Sequence, residues 1–89
     1  MYTYSVIVLR EKDGRYSVIV PALPGCATWG ETLPEALRMA EEAIQAYAEG
    51  LGEQGKPLPP DVPVVMVDLG DATEASVYKL SIPAEAKVA

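Results

Sequence analysis

The chain has 89 residues, of which 49% are apolar and 22% charged, a composition typical of a single globular domain. Thirteen acidic residues against seven basic ones give a net charge of −6, which disfavours non-specific binding to nucleic-acid phosphates and is compatible with a basic protein partner. The sequence contains one cysteine, Cys26, and no histidine. An internal disulfide and any site built on a histidine base or ligand are therefore excluded.

The first apolar stretch, residues 4–9, has no basic leader and is followed at once by four charged residues. Neither a secretory signal nor a membrane span is predicted. We expect a soluble protein of the cytoplasm that forms one domain over residues 1–89.

Two segments near the N-terminus, residues 2–10 and 15–21, are rich in β-branched and aromatic residues that alternate as in strands. Asp13 and Gly14 lie between these segments. Both residue types adopt positive φ readily, so the pair predicts a tight hairpin turn.

A corner is predicted at residues 21–26. Pro21 and Pro24 cannot donate hydrogen bonds to a sheet, and Gly25 permits backbone angles that other residues avoid. A short third strand, residues 26–29, should follow the corner.

A helix is predicted from about Leu33 to about Gly50. Thr32 is a favourable N-cap, and Glu35 completes the spacing of a capping box. Apolar residues spaced four and three apart give this helix one face that can pack on a sheet: Leu33, Leu37, Ala40, Ile44, Tyr47 and Leu51.

The remaining residues predict a loop and two strands. Residues 52–63 are rich in glycine and proline, residues 64–67 form an apolar run typical of a strand buried on both faces, and residues 76–82 alternate again. The order β-β-β-α-β(-β) predicts an α+β domain, a small sheet with one helix on one face.

The run from Val18 to Ile44 resembles the HicB antitoxin family, in which a strand ends in a proline-rich corner followed by a glycine turn and a capped helix. The residues that carry the resemblance are Pro21, Leu23, Pro24, Gly25, Cys26, Thr28, Gly30, Thr32, Glu35, Ala36 and Leu37. Ala22 stands where the family usually has an acidic residue. The resemblance covers about residues 2–69, which are taken as the expected core of the domain.

The resemblance implies a partial, degenerate ribonuclease H-like fold and the role of antitoxin in a type II toxin–antitoxin pair. The expected partner is a HicA-type toxin, a small basic ribonuclease that cleaves mRNA with a histidine. The antitoxin would bind this toxin and cover its active surface without catalysis of its own.

Many members of that family carry a C-terminal DNA-binding unit. The strand at residues 76–82 resembles the one that opens a ribbon-helix-helix, but only seven residues follow it, so operator binding is not expected. Residues 75–83 are instead expected to form an extra strand or a contact within a homo-oligomer.

A ribonuclease H-like ancestry suggests metal-binding acids, for which Glu41, Glu42 and Asp68 are candidates. The first strand supplies no carboxylate before Glu11, and two-metal hydrolysis needs several converging oxygen ligands. We therefore expect no metal, no cofactor and no catalytic residue.

Three other features are candidates for a role in function. Cys26 is expected to be buried at the corner. Trp29 is either a core residue or an anchor for a partner. The acidic residues of the helix, Glu35, Glu41, Glu42 and Glu49, form either a solvated face or a docking surface for a basic toxin.

The sequence thus favours an antitoxin that inhibits a basic ribonuclease. One alternative is an orphan protein of the same fold that forms an oligomer with a structural or regulatory purpose. Another is a metal-dependent nuclease.

Overall fold

A computed structural model describes residues 2–83; residue 1 and the tail 84–89 lie outside the described residues. Its elements are β1 (Tyr2–Arg10), β2 (Tyr16–Ile19), β3 (Ala27–Gly30), α1 (Leu33–Glu53) and β4 (Glu74–Ile82). The strands form one antiparallel sheet in the order β3-β2-β1-β4. The predicted α+β class, with one helix on one face of a small sheet, is confirmed.

The β1–β2 connection differs slightly from the predicted two-residue turn. The N–H of Glu11 donates to the carbonyl of Arg15, and that of Gly14 donates to the carbonyl of Glu11. The loop therefore has three residues, and only Gly14 has a positive φ, at 91°. The extra residue allows an ordinary turn followed by a left-handed glycine, so Asp13 does not need positive φ.

The corner at residues 21–26 forms as predicted. The N–H of Leu23 donates to the carbonyl of Val20, and that of Cys26 donates to the carbonyl of Leu23. Gly25 has a φ of 82°. Leu23 and Cys26 are buried, so the corner is part of the core as well as a change of direction.

The helix begins as predicted and ends three residues later. The hydroxyl of Thr32 accepts the N–H of Glu35 at 3.2 Å, and the carboxylate of Glu35 accepts the N–H of Glu31 at 2.7 Å. Gly30 faces the first turn of the helix so closely that a Cβ atom there would lie 2.6 Å from the nitrogen of Ala36. Only glycine lets β3 and α1 approach to this distance.

The predicted strand at residues 64–67 is wrong. These residues have no regular secondary structure, and Val64 and Met66 are 73% and 88% exposed. The apolar run resembles a buried strand, but β4 occupies the place beside β1 that such a strand would take.

The last strand belongs to the core. All nine residues of β4 pair with β1 of the same chain, and Ile82 is 1% exposed. A core that ends at residue 69 is therefore too short, and residues 75–82 pair within the chain.

The sheet has two different faces. The helix covers the face that carries Tyr4, Val6, Val8 and Val18, and these pack with Ile44 and Ile82 in the hydrophobic core. The other face, here called the open face, carries the alternate residues of each strand. No helix among residues 2–83 is long and apolar enough to cross a membrane.

Candidate partner-binding site

The strand registers place two rows of side chains across the open face. Ile7 lies between Val77 and Ile19, and Ile19 lies opposite Ala27. In the next row Leu9 lies between Ala75 and Ser17, and Ser17 lies opposite Trp29. Apolar residues therefore dominate this face from β4 to β3.

Asp61 joins the loop after the helix to the open face. One carboxylate oxygen accepts the N–H of Ser5 at 2.9 Å, and the other accepts the Ser5 hydroxyl and the Lys79 ammonium group, both at 2.8 Å. The register of β1 and β2 would place Pro21 opposite Ser5, where β2 has ended. Asp61 thus satisfies the backbone donor that the proline corner leaves without a strand partner.

The hydrogen bonds of Asp61 determine its ionisation. Burial alone would raise the pKa of this carboxyl group, but the hydrogen bonds from Lys79 and Ser5 outweigh burial and lower it to about 2. The carboxylate is therefore charged at neutral pH and holds the loop against β1.

Residues 62–69, here called the covering segment, lead from this anchor to the start of β4. Beyond the segment, the N–H of Thr73 donates to the carbonyl of Arg10. The segment therefore begins at the level of Ser5 and leads to the level of Arg10. Ile7, which lies between these levels, is only 7% exposed although the helix is on the opposite side.

The exposed apolar side chains of the covering segment and of the open face are together called the apolar surface. Eight large apolar side chains are exposed among residues 2–83. Three of them lie on the open face, namely Ile19, Trp29 and Val77, and four belong to the covering segment, namely Val64, Met66, Val67 and Leu69. A concentration of this kind is typical of an interaction site rather than of scattered surface residues.

Trp29 stands beside a concavity of about 450 Å³ whose lining includes Ser17, Ile19 and Ala27. The guanidinium group of Arg15 lies 5.1 Å from the centre of the indole ring, a cation–π distance. Arg15 also forms a 2.8 Å ion pair with Asp13. Trp29 is thus positioned by a neighbour while half of its surface stays exposed.

Trp29 and the helix acids proposed from the sequence are not brought together. Glu41, Glu42 and Glu49 are exposed on α1, which packs on the opposite face of the sheet from Trp29. Glu35 takes part in the helix cap, and Glu42 forms a 3.0 Å pair with Arg38. The five residues therefore lie on two separate surfaces.

The candidate metal ligands are equally separated. Glu41 lies on α1 and Asp68 on the covering segment, and no group of three or more acidic or cysteine side chains within residues 2–83 could hold a metal ion. The residues present therefore do not fit a metal centre there. Cys26 is buried as expected, and burial raises the pKa of its thiol.

Neither the role of Asp61 nor the exposure of the covering segment is predicted by the sequence. Asp61 had no recognisable signal, because its partners Ser5 and Lys79 lie 56 and 18 residues away. The apolar run of the covering segment is visible in the sequence, but its side chains are exposed in the structure and not buried as predicted.

These features define a small α+β domain in which the helix covers one sheet face and the other face presents an apolar surface. A family model, the HicB-like antitoxin of bacterial toxin-antitoxin systems, matches residues 4–83, and the chain belongs to this family. The resemblance found from the sequence is confirmed, and it extends through β4.

Two relatives of known sequence support the assignment. A UPF0150 protein of Thermoplasma acidophilum is 50% identical over 58 residues, which are 65% of this chain and 84% of that protein. A UPF0150 protein of Synechocystis is 39% identical over 59 residues, which are 66% of this chain and 75% of that protein.

Solved structures share the fold. The N-terminal domain of the Burkholderia pseudomallei antitoxin HicB matches with a TM-score of 0.68 at 25% identity, over 91% of this chain and 98% of that one. The longer HicB chain from the same organism matches with a TM-score of 0.70, over 96% of this chain and 66% of that one, also at 25% identity. A chain of a HicA3 and HicB3 toxin-antitoxin complex matches with a TM-score of 0.67 at 25% identity, over 91% of this chain and 98% of that one.

Proposed function

We propose that this chain is the antitoxin of a two-component pair and that it binds and inhibits a small basic ribonuclease of the HicA type. The observation that supports the proposal most directly is membership of the HicB-like family, together with the likeness to a chain of a solved toxin–antitoxin complex. The net charge of −6 fits a basic partner.

Inhibition by this chain would be steric. A stable protein complex covers about 800 Å² on each partner, which is enough to shield the active surface of a small toxin. Such a mechanism needs no catalytic group in the antitoxin. It needs a surface that holds the toxin and charges that attract it.

The acidic helix would contribute attraction. Residues 33–53 contain five acidic residues and one basic residue, and charges of this kind accelerate encounter with an oppositely charged protein. Among the partner-binding residues proposed from the sequence, Trp29 would act by contact, whereas Glu41, Glu42 and Glu49 would act mainly through their field. Glu35 is occupied in the helix cap and would add only its charge.

Co-purification with the product of the neighbouring gene tests this proposal. The tagged chain is co-expressed with that product, whose catalytic histidine is replaced so that the cells survive, and the complex is weighed by light scattering. Active toxin is then assayed for mRNA cleavage against increasing antitoxin. We expect a defined complex and inhibition that is complete near its stoichiometry; the absence of both a complex and inhibition would contradict the proposal.

Self-association is a second candidate function, and the outer edge of β4 favours it. Because the N–H of Ser5 points to Asp61, β1 bonds to β4 through even-numbered residues. The backbone groups of Ala75, Val77, Lys79 and Ser81 therefore face outward. An edge of this length can pair with a second copy.

Light scattering of the chain without toxin tests self-association. Val77→Pro removes one outward N–H without removing a bond to β1, and Val77→Thr is the matched control. A dimer that persists in Val77→Thr and dissociates in Val77→Pro would support pairing through β4. A monomer at all concentrations would exclude it.

A further inference from the structure

We infer that the apolar surface, and not the acidic outer side of the helix, is where a basic protein partner docks. This inference rests on the proposed function and names the surface that carries it out. The partner would contact the covering segment together with Trp29, Ile19 and Val77.

The most exposed apolar side chains belong to the covering segment. Met66 and Val64 are the most exposed of the large apolar side chains among residues 2–83, and none of those exposed side chains belongs to α1. The hydrophobic effect drives association where such side chains lose contact with water. The outer side of the helix offers charge but no comparable apolar anchor.

The backbone of the covering segment offers hydrogen-bond donors to a partner. The N–H groups of Val64–Val67 donate to no backbone carbonyl within residues 2–83. Valine-rich sequence favours an extended chain, and an extended chain with free donors can pair with a strand of another protein. The segment has strand-forming sequence without a strand partner of its own.

The charges near the apolar surface favour a basic partner over a second copy of this chain. Residues 57–78 contain four acidic residues and no lysine or arginine. Asp61 is paired with Lys79, and Glu74 lies opposite Arg10 on the helix side of the sheet, which leaves Asp68 and Asp71 in the loop beside the apolar residues. A second copy on a two-fold axis would bring these acids toward the same acids of its neighbour, whereas a basic partner would compensate them.

A charge placed in this surface tests the inference. Met66→Glu should leave the fold intact because the side chain is 88% exposed. Ala46→Glu is the matched control, since Ala46 is exposed on α1. Both proteins are titrated with the histidine-replaced toxin by calorimetry, after circular dichroism has shown that they are folded.

The expected result is that Met66→Glu weakens toxin binding by about 30-fold or more, as for an interface hot spot, while Ala46→Glu binds like the natural chain. Trp29→Ala should also weaken binding. Equal affinity of Met66→Glu and the natural chain would overturn the inference and leave the proposed function standing. The inference would also be overturned if the natural chain self-associates through this surface and Met66→Glu abolishes that self-association without weakening toxin binding. If the natural chain fails to bind the toxin, the proposed function itself fails.

Discussion

Asp61 accepts both the backbone N–H and the hydroxyl of Ser5, and so takes the place of a missing strand beside β1. The two residues are 56 positions apart in the sequence. This contact fixes where the covering segment begins on the open face. Ser5 is 1% exposed, so its N–H would have no water to replace the carboxylate.

Replacement of Asp61 should destabilise the domain. Asp61→Ala leaves the buried donors of Ser5 without acceptors, which costs about 1–3 kcal/mol. The free energy of unfolding, measured with urea, should fall by this amount. Asp71→Asn is the control, because Asp71 is exposed and forms no side-chain hydrogen bond among residues 2–83. Equal stability of Asp61→Ala and the natural chain would contradict this role.

The same carboxylate makes stability depend on pH. The pKa of Asp61 is about 2 in the folded chain, below the ordinary value of 3.8, so its contribution is present above pH 3.8 and is lost as the pH falls through about 2. Urea titrations between pH 5 and pH 2 should therefore show a smaller loss of stability in Asp61→Asn than in the natural chain. Parallel curves for the two proteins would count against the lowered pKa.

Gly30 and Gly50 should respond oppositely to alanine. A Cβ at Gly30 would meet the backbone of Ala36 at 2.6 Å and force β3 away from α1, a strain of about 1–3 kcal/mol. Gly50 lies in the helix with no atom within 4 Å of an added Cβ, and its backbone is compatible with alanine. Gly50→Ala should raise stability by about 0.4–1 kcal/mol. The melting temperatures of both variants test this prediction. A higher melting temperature for Gly30→Ala would contradict the close contact between Gly30 and Ala36.

Cys26 should react slowly with thiol reagents. Burial raises the pKa of its thiol, and the corner shields the sulfur, so the folded chain holds little reactive thiolate at neutral pH. Labelling with a chromogenic disulfide should be slow in buffer and fast in urea. A rate in buffer equal to that of a small free thiol would contradict burial.

Trp29 should report toxin binding. Its indole is 51% exposed, and desolvation by a partner would shift its fluorescence to shorter wavelength. Because it is the only tryptophan in the chain, a toxin without tryptophan makes the signal unambiguous. An unchanged spectrum on binding would place Trp29 outside the interface.

Higher salt should slow association, since the attraction between a chain of charge −6 and a basic partner is screened.

Local features were predicted correctly where the information is local. The corner at residues 21–26, the helix cap of Thr32 and the hairpin depend on neighbouring residues, because proline, glycine and short polar side chains act on the backbone within a few positions. The family resemblance rests on the same run. The β1–β2 turn was wrong only in its length.

Features that depend on distant residues were not predictable in this way. Residues 64–67 have the composition of a buried strand, but β4 pairs with β1 along its whole length and leaves them no place in the sheet. Trp29 and the helix acids are both candidates for partner contact in the sequence, and only the alternation of β3 against the position of α1 places them on different surfaces.

The sequence by itself determined the class of the domain, its family and its acidic character, since these follow from composition, periodicity and a contiguous motif. The tertiary structure alone decided which strand lies next to β1, where Asp61 is anchored and which apolar side chains stay exposed. The reason is physical: two segments with equal strand propensity compete for one sheet edge, and the outcome depends on packing across the whole domain.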